Sequence, residues 1–244
     1  MVRVLVMICA TGVLLGRIAR ADDGGALSST IRPAIQSYLI KLTSDSCLAS
    51  AFSDAIPEDL LSSIYDSGPS EDWPTYLAGC ITLTKAPTSD HAGPERFFAY
   101  VSGFDAGYAV FVQKLHDLCS VAWSSDSMPG IFGVHVDTVE LTGMAPAEIV
   151  VGGYGGASKN WTGDVFSLDG GDVRLISPRI ATKSGEVARG LYGHRWEYTD
   201  SNKDGVKEIE LLAPLSGMNN QARPSKVLRF NKAKGILETD STPR

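Results

Sequence analysis

One stretch of the sequence places oxygen-bearing side chains at alternate positions, as a loop that binds a hard cation does. It reads Asp200-Ser-Asn-Lys-Asp-Gly-Val-Lys-Glu208. Calcium takes roughly 6–8 oxygens at about 2.3–2.6 Å, and carboxylates, amides and backbone carbonyls supply them. Four side chains and one backbone carbonyl form the predicted Ca²⁺ ligand set: Asp200, Asn202, Asp204 and Glu208 with the carbonyl of Val206. The alternative is an acidic turn that stays hydrated without an ion.

The segments on either side of this loop indicate strands rather than helices. Arg195–Thr199 and Glu208–Leu212 alternate polar and apolar residues, which is typical of β-structure. An EF-hand would place a glutamate at position 12 of the loop and a helix on each side. Position 12 counted from Asp200 is Leu211, so the pattern excludes an EF-hand.

The same segment is one copy of an internal repeat. Val139–Ile149 aligns with Thr199–Ile209 at an offset of 60 positions (199 − 139), and both copies end in Glu-Ile. Further along, Asp164–Gly171 aligns with Lys226–Ala233 at an offset of 62 (226 − 164). A degraded third copy is the hypothesis for Phe97–Asp117. Each copy contains about four short strands, the content of one propeller blade or half of a β-sandwich.

The loop resembles the calcium loops of FG-GAP and VCBS-type repeats, which form β-propellers in proteins such as the integrin α-chain head. Their signature is Asp-x-Asn/Asp-x-Asp-Gly-x-x-Asp/Glu followed by an apolar strand, and residues 200–209 match it. The earlier copy matches only its ending, because Met144 and Ala145 replace the third acid and the glycine. The resemblance covers about residues 130–240, and it implies a Ca²⁺-stabilised β-structure on an exported protein.

The remaining pattern predicts a mainly β chain with an N-terminal helical region. Residues 22–93 carry helical periodicity, and residues 94–244 carry short β-rich runs separated by glycines. Two or three propeller-like antiparallel repeats follow from this division, two of them at approximately 131–190 and 191–240. Turn signals, Gly152-Gly153 among them, are expected between the strands, and the run Gly152–Lys159 is expected to form a flexible loop.

The N-terminus predicts export. A cation, an apolar run from Val4 to Leu15 and the tripeptide Ala19-Arg-Ala21 form a signal peptide over residues 1–21. The run spans about 12 residues, too few for the roughly 20 of a membrane helix. Cleavage removes three arginines and no acid, so the net charge falls from −6 to −9 (−6 − 3). This acidic balance argues against nucleic acid and anionic membranes as partners.

Three cysteines remain after the predicted cleavage: Cys47, Cys80 and Cys119. One disulfide is expected in an oxidising compartment, and its pairing stays open among three possibilities. A catalytic thiol at Cys119 with His116 as its base is a minor alternative.

Other groups of residues have ordinary structural explanations. Tyr154 and Trp161 have the chemistry to stack on a sugar ring, although packing is the commoner fate of aromatic side chains. His135 and Asp137 lie on one strand face, and His194 and Glu197 flank another strand. Together these four form a weak candidate for a transition-metal site. No serine-nucleophile elbow and no zinc-protease motif occurs in the sequence.

The sequence therefore favours a non-catalytic interaction or structural module of the periplasm or cell exterior. It would hold one Ca²⁺ ion and bind an unidentified protein or glycan. The alternative is a secreted hydrolase that acts on envelope or extracellular polymers.

Overall fold

The architecture comes from a computed structural model that describes most of the chain. The described residues are 24–67, 72–88, 93–103, 106–126, 128–129, 131–155, 161–169, 172–181, 187–192, 195–212 and 224–239. The predicted signal peptide at residues 1–21 lies outside them. Within these ranges the predicted mainly β fold is confirmed, and four helices precede the strands.

The helices are α1 (Gly24–Thr43), α2 (Ser46–Ala55), α3 (Glu58–Ser67) and α4 (Trp73–Cys80). Aspartates begin two of them, because the Asp45 carboxylate accepts from the Leu48 amide at 3.1 Å and Asp72 accepts from Thr75 at 3.3 Å. Helix α1 begins at Gly24, within the predicted N-terminal helical region of residues 22–93. No helix among the described residues is both long and apolar enough to cross a membrane.

The strands form three main antiparallel sheets in chain order. Sheet 1 contains β1 (Ile81–Lys85), β2 (Glu95–Ser102), β3 (Ala106–Leu115), β4 (Leu118–Ser124) and the short β5 (Met128–Pro129). Sheet 2 contains β6 (Ile131–Val139), β7 (Glu148–Gly155), β8 (Trp161–Asp169) and β9 (Asp172–Leu175), and the later β12 (Leu191–Tyr192) joins it. Sheet 3 contains β13 (Trp196–Thr199), β14 (Glu208–Leu212), β15 (Pro224–Asn231) and β16 (Ile236–Thr239). A separate hairpin pairs β10 (Arg179–Ala181) with β11 (Val187–Arg189).

The helices and the three sheets stack as four layers with three buried cores between them. The helices cover one face of sheet 1, where Ala99 and Val101 are buried against them. The opposite face of sheet 1 packs on sheet 2, through Phe98 among others. The other face of sheet 2 packs on sheet 3, where Val150 and Ile209 share one core.

The sequence of each strand matches the layer in which it lies. Strand β7 is apolar at consecutive positions because Ile149 faces sheet 1 while Val150 faces sheet 3. Strand β14 instead alternates Glu208 and Glu210 with Ile209 and Leu211, because Ile209 and Leu211 face the core that it shares with sheet 2. Among the described elements, sheet 3 is the layer that lies opposite the helices.

One tryptophan sets the spacing between sheets 2 and 3. Gly152 and Gly163 face each other across β7 and β8, and the indole of Trp196 lies against both. A Cβ atom at Gly152 would overlap the Trp196 ring, and one at Gly163 would also overlap the Val151 carbonyl oxygen. The predicted turn at Gly152-Gly153 is therefore wrong. The chain continues as strand to Gly155 because these glycines make room for the ring.

A disulfide ties the helical layer to the edge of sheet 1. Cys47 in α2 is bonded to Cys119 in β4, 72 positions away, and Cys80 is free and buried. The salt bridge between Lys114 and Asp45 lies beside it. The expected single disulfide thus has one defined pairing, and this pairing excludes Cys119 as a catalytic thiol.

We expect Gly152→Ala to lower the free energy of unfolding by about 1–3 kcal/mol, because the new methyl group must displace Trp196 or separate the sheets. Chemical denaturation and the near-ultraviolet circular dichroism of the tryptophans measure the effect. Gly79→Ala is the control, because its Cβ would enter open space in α4. Equal stability of Gly152→Ala and wild type would contradict the close packing described here.

We expect loss of the Cys47–Cys119 disulfide to lower the free energy of unfolding by about 2–4 kcal/mol, because a long loop is no longer closed in the unfolded chain. The paired variant Cys47→Ala/Cys119→Ala should unfold identically with and without reductant, while Cys80→Ala should retain the response to reductant. Non-reduced peptide mapping that links either cysteine to Cys80 would disprove the pairing.

Candidate metal centre

The predicted calcium loop is a strand–loop–strand hairpin. Strands β13 and β14 pair with Thr199 opposite Glu208, and residues 200–207 connect them. The loop turns at two residues with positive φ, Lys203 at 61° and Gly205 at 87°. No helix follows Gly205, so the predicted strand flanks are confirmed.

The side-chain oxygens at positions 200, 202 and 204 converge inside the loop. The amide of Asp204 donates to Asp200 Oδ1 at 3.1 Å and lies 3.2 Å from Asn202 Oδ1. The Gly205 amide donates to Asp200 Oδ2 at 3.0 Å, and the Val206 amide donates to Asp204 Oδ1 at 2.8 Å. These oxygens gather around the amides of one exposed turn.

Asp204 is held in its ionised form. The Val206 amide and the Asn202 side-chain amide, 2.7 Å from Asp204 Oδ2, both donate to its carboxylate. These bonds lower the pKa of Asp204 below its ordinary value. Its carboxylate is therefore available to a cation at and well below neutral pH.

Glu208 makes different contacts from the other predicted ligands. Its side chain is buried, and Oε2 accepts from the Ser201 amide at 2.9 Å and from the Ser201 hydroxyl at 3.1 Å. Oε1 accepts from Arg229 Nε at 3.0 Å, which makes an ion pair across sheet 3. Glu208 thus closes the hairpin, and its assignment as a calcium ligand stays a prediction.

The equivalent glutamate of sheet 2 closes its own hairpin in the same way. Glu148 pairs with Val139, as Glu208 pairs with Thr199. Its buried carboxylate accepts from the Leu141 amide at 2.7 Å and from the Thr142 hydroxyl at 2.8 Å. The first loop lacks the acidic triplet and still retains this glutamate. Hairpin closure therefore does not require the acidic triplet.

The two loops contact each other. The Lys207 amide donates to the Glu140 carbonyl at 2.8 Å. Gly143, with φ of 71°, lies so close to Val206 that an added Cβ would be 3.1 Å from Val206 Cγ2. The loop of residues 200–207 is thus fixed against sheet 2 as well as within sheet 3.

The donor set fits a calcium ion in part. Three exposed side chains and nearby carbonyls supply hard oxygens on one turn, while Glu208 is engaged by Ser201 and Arg229. The hydroxyl of Thr199, which precedes Asp200, is buried and has no hydrogen-bond partner among the described residues. It offers a further neutral oxygen at the base of the loop.

The described residues contain one set of three His, Cys, Asp or Glu side chains whose ligand atoms lie within 4.8 Å of one another. That set is Asp45, Cys47 and Cys119. Its two sulfurs form the disulfide, so it does not provide free thiolates for a metal.

The other sequence candidates serve packing. Asp137 accepts from the Tyr198 hydroxyl at 2.8 Å and lies 2.9 Å from His135 Nε2, which links sheets 2 and 3. Burial and the bond to Asp137 raise the pKa of Tyr198, so this hydroxyl stays protonated. His194 lies outside the described residues. Glu197 is exposed and lies opposite Glu210 on sheet 3.

Tyr154 and Trp161 are cross-strand neighbours that meet edge to face. Their ring centroids are 5.1 Å apart at an interplanar angle of 61°, and Trp161 meets Trp196 at 88°. The two rings therefore do not form one flat platform. Tyr154 keeps 46 % of its surface exposed, whereas Trp161 is half-buried in the core between the sheets.

Ser201, Thr142 and Arg229 are site residues that sequence reasoning missed. The two hydroxyl residues lie at the start of each loop, seven and six positions before the buried glutamate (208 − 201 and 148 − 142). The repeat offset of 60 aligns Ser201 with Leu141 rather than with Thr142, so the alignment does not reveal them. Arg229 is 21 positions from Glu208 and carries no local signal.

Comparisons with protein-family models, with curated proteins and with solved structures found no match for this chain.

The buried Glu148 yields a test by pH. Burial raises its pKa above the ordinary 4.5, so its stabilising contribution is complete below that pH and is lost as pH rises through the folded-state value. In Glu148→Gln the amide retains an acceptor for Leu141, and the Thr142 hydroxyl lies 3.4 Å from the Met144 carbonyl, to which it can donate instead. We expect the variant to gain stability relative to wild type as pH increases from about 4.5 towards 7.

Glu208→Gln is the matched control, because its new amide would face the Arg229 guanidinium. We expect it to lower the free energy of unfolding by about 1–2 kcal/mol at neutral pH. Urea denaturation at a series of pH values measures both variants. A constant difference between Glu148→Gln and wild type across this range would contradict the role of burial.

Proposed function

We propose that this protein is an exported, non-catalytic interaction module built from propeller-like β-repeats, with one Ca²⁺ ion bound in the loop of residues 200–208. The proposal takes sheets 2 and 3 as two repeats of the FG-GAP/VCBS kind and sheet 1 as a third. Its partner would be a protein or a glycan.

The shared hairpin register supports the repeat assignment. Each of sheets 2 and 3 places a buried glutamate at the first position of its second strand, opposite the last residue of the first strand. Sheets 1 and 2 share another feature: the third strand of each sheet pairs along its outer edge with two separate strands. These are β4 and β5 on β3, and β9 and β12 on β8. Face-to-face packing of successive four-stranded sheets is the packing of propeller blades.

The convergence of oxygens in the second loop is the observation that carries the calcium proposal. Asp200 Oδ1 and Asn202 Oδ1 both lie within 3.2 Å of the Asp204 amide, so both already point to the inside of one turn. A cation bound there would be coordinated by these side-chain oxygens, which would give up some of their hydrogen bonds with the backbone amides. The neighbouring Lys203 is exposed and reduces the local negative charge only partly.

The disulfide supports export. Such bonds persist in the periplasm or outside the cell and are rare in reducing compartments. Cys47 and Cys119 join two layers of the fold, which suits a protein that folds under oxidising conditions. The signal sequence at residues 1–21 gives an independent argument for the same location.

The contacts of Asp137 favour a binding module over the hydrolase alternative. A carboxylate that activates water or orients a catalytic base needs an oxygen directed at substrate. Asp137 instead uses its two oxygens for Tyr198 and His135, and it joins two sheets. The exposed ring of Tyr154 is the first site to examine for a glycan or a peptide.

Thermal unfolding with Ca²⁺ and with chelator tests the ion. At about 100 times the dissociation constant, binding to the folded form alone stabilises by about 2.7 kcal/mol. We therefore expect millimolar Ca²⁺ to raise Tm by about 5 °C or more relative to chelator.

Asp204→Asn should remove most of this shift, because it retains the acceptor for the Val206 amide while it loses the charge. Asp172→Asn is the control, since Asp172 is an exposed aspartate of β9 on sheet 2. The readout is the Ca²⁺-dependent shift within each variant rather than its absolute Tm. An unchanged Tm of wild type on chelation would disprove the calcium site and leave the repeat assignment intact.

A further inference from the structure

The outer edge of β4 differs from every other long sheet edge that the structure describes. Strands of four or more residues form six such edges, and five carry a charged side chain: Lys85 in β1, Asp137 in β6, Arg174 in β9, Glu197 in β13 and Glu238 in β16. Strand β4 reads Leu-Cys-Ser-Val-Ala-Trp-Ser and carries none. Charges on edge strands prevent strands of other molecules from adding to the sheet. The edge of β4 has no such protection.

This edge is also exposed and apolar. Leu118 exposes 78 % of its surface and Val121 exposes 45 %, and Leu115 on the neighbouring strand exposes 53 %. Strand β4 pairs with β3 along one side, and the other side has no strand partner among the described residues. Backbone donors and acceptors therefore lie beside uncovered apolar side chains.

The edge is held in place before any partner arrives. Cys119 in the middle of β4 is bonded to Cys47 of α2. Lys114 lies opposite Cys119 on β3 and forms its salt bridge with Asp45 at the start of α2. A strand fixed in this way loses little conformational entropy when another strand pairs with it.

We propose that β4 is a homodimer interface, in which the β4 strands of two copies pair antiparallel and join their first sheets into one. Self-pairing fits the charge pattern, because in an antiparallel pair centred on Val121 every residue of β4 lies opposite an uncharged residue of the other copy. Each of the other long edges would instead place at least one charged residue within the new strand pair. The dimer buries Leu118 and Val121 of both copies and satisfies the outer backbone groups of β4.

Sedimentation equilibrium of the purified protein from about 5 to about 500 µM tests the association by mass action. We expect the mass to rise towards twice that of the chain as concentration increases. Val121→Lys should weaken association by at least about tenfold, because a two-fold interface places the new charges near one another. Met144→Lys is the control, since Met144 has a similar exposure of 42 % and lies away from β4.

Hydrogen exchange locates the contact. Amides of residues 118–124 should become more protected at high concentration, and Val121→Lys should lose this protection while its circular dichroism and Tm stay as in wild type. A mass equal to one chain at every concentration would overturn the proposal. So would association that Val121→Lys leaves unchanged, or a dimer in which the amides of β4 gain no protection. Calcium has no part in this interface, so chelator should leave the dimer intact.

Discussion

The contact of the Trp196 indole with Gly152 and Gly163 fixes how the last two sheets of this protein meet. Because the two glycines have no side chains, the flat indole ring packs directly on their backbones. Sheets 2 and 3 therefore lie close enough for one core to form between them. That core contains Val150 and Ile209, and its position determines where the β13–β14 hairpin ends. The loop at residues 200–207 consequently rests on the loop of the preceding sheet, through the Lys207 amide and Val206. The proposed ion site is thus supported by the packing of two sheets.

Different elements lie at the two ends of the stack of sheets. Sheet 1 is apolar on both faces, and the four helices cover its outer face. On sheet 3, Glu208, Glu210 and Arg229 lie on the face away from this core, and Glu208 is buried there against Ser201 and Arg229. A terminal layer of this kind stops a stack from growing, as capping units do in repeat proteins. The described sheets therefore form a finite stack, and no buried core among the described residues joins sheet 3 back to sheet 1.

Local patterns were enough to predict part of this structure. The alternation in Arg195–Thr199 and Glu208–Leu212 predicted β14 to the residue and β13 to within one residue. The offset of 60 (199 − 139) predicted that their hairpin matches that of β6 and β7. Strand β4 was missed, because an edge strand exposed on both sides needs no alternation. The strand character of Gly152–Gly155 was missed for another reason. Trp196, which explains it, lies more than 40 positions further along the chain (196 − 155).

The candidate site shows the same limit. Spacing alone placed Asp200, Asn202 and Asp204 on one turn, because residues that alternate around a glycine must converge. It could not assign the contacts of Glu208, since Arg229 reaches that carboxylate from β15. Long-range ion pairs depend on sheet order, which local sequence does not encode.

The buried glutamate at the start of β7 and β14 has a consequence for how such repeats diverge. It holds the two ends of each loop together through backbone amides and hydroxyls, whatever the residues between them. A loop anchored at its base in this way keeps its hairpin with methionine and alanine at residues 144 and 145, where the other loop has an acid and a glycine. A loop can therefore lose the residues predicted to bind an ion while its hairpin stays closed. New specificities can arise at the tips of these loops while the framework beneath them stays constant.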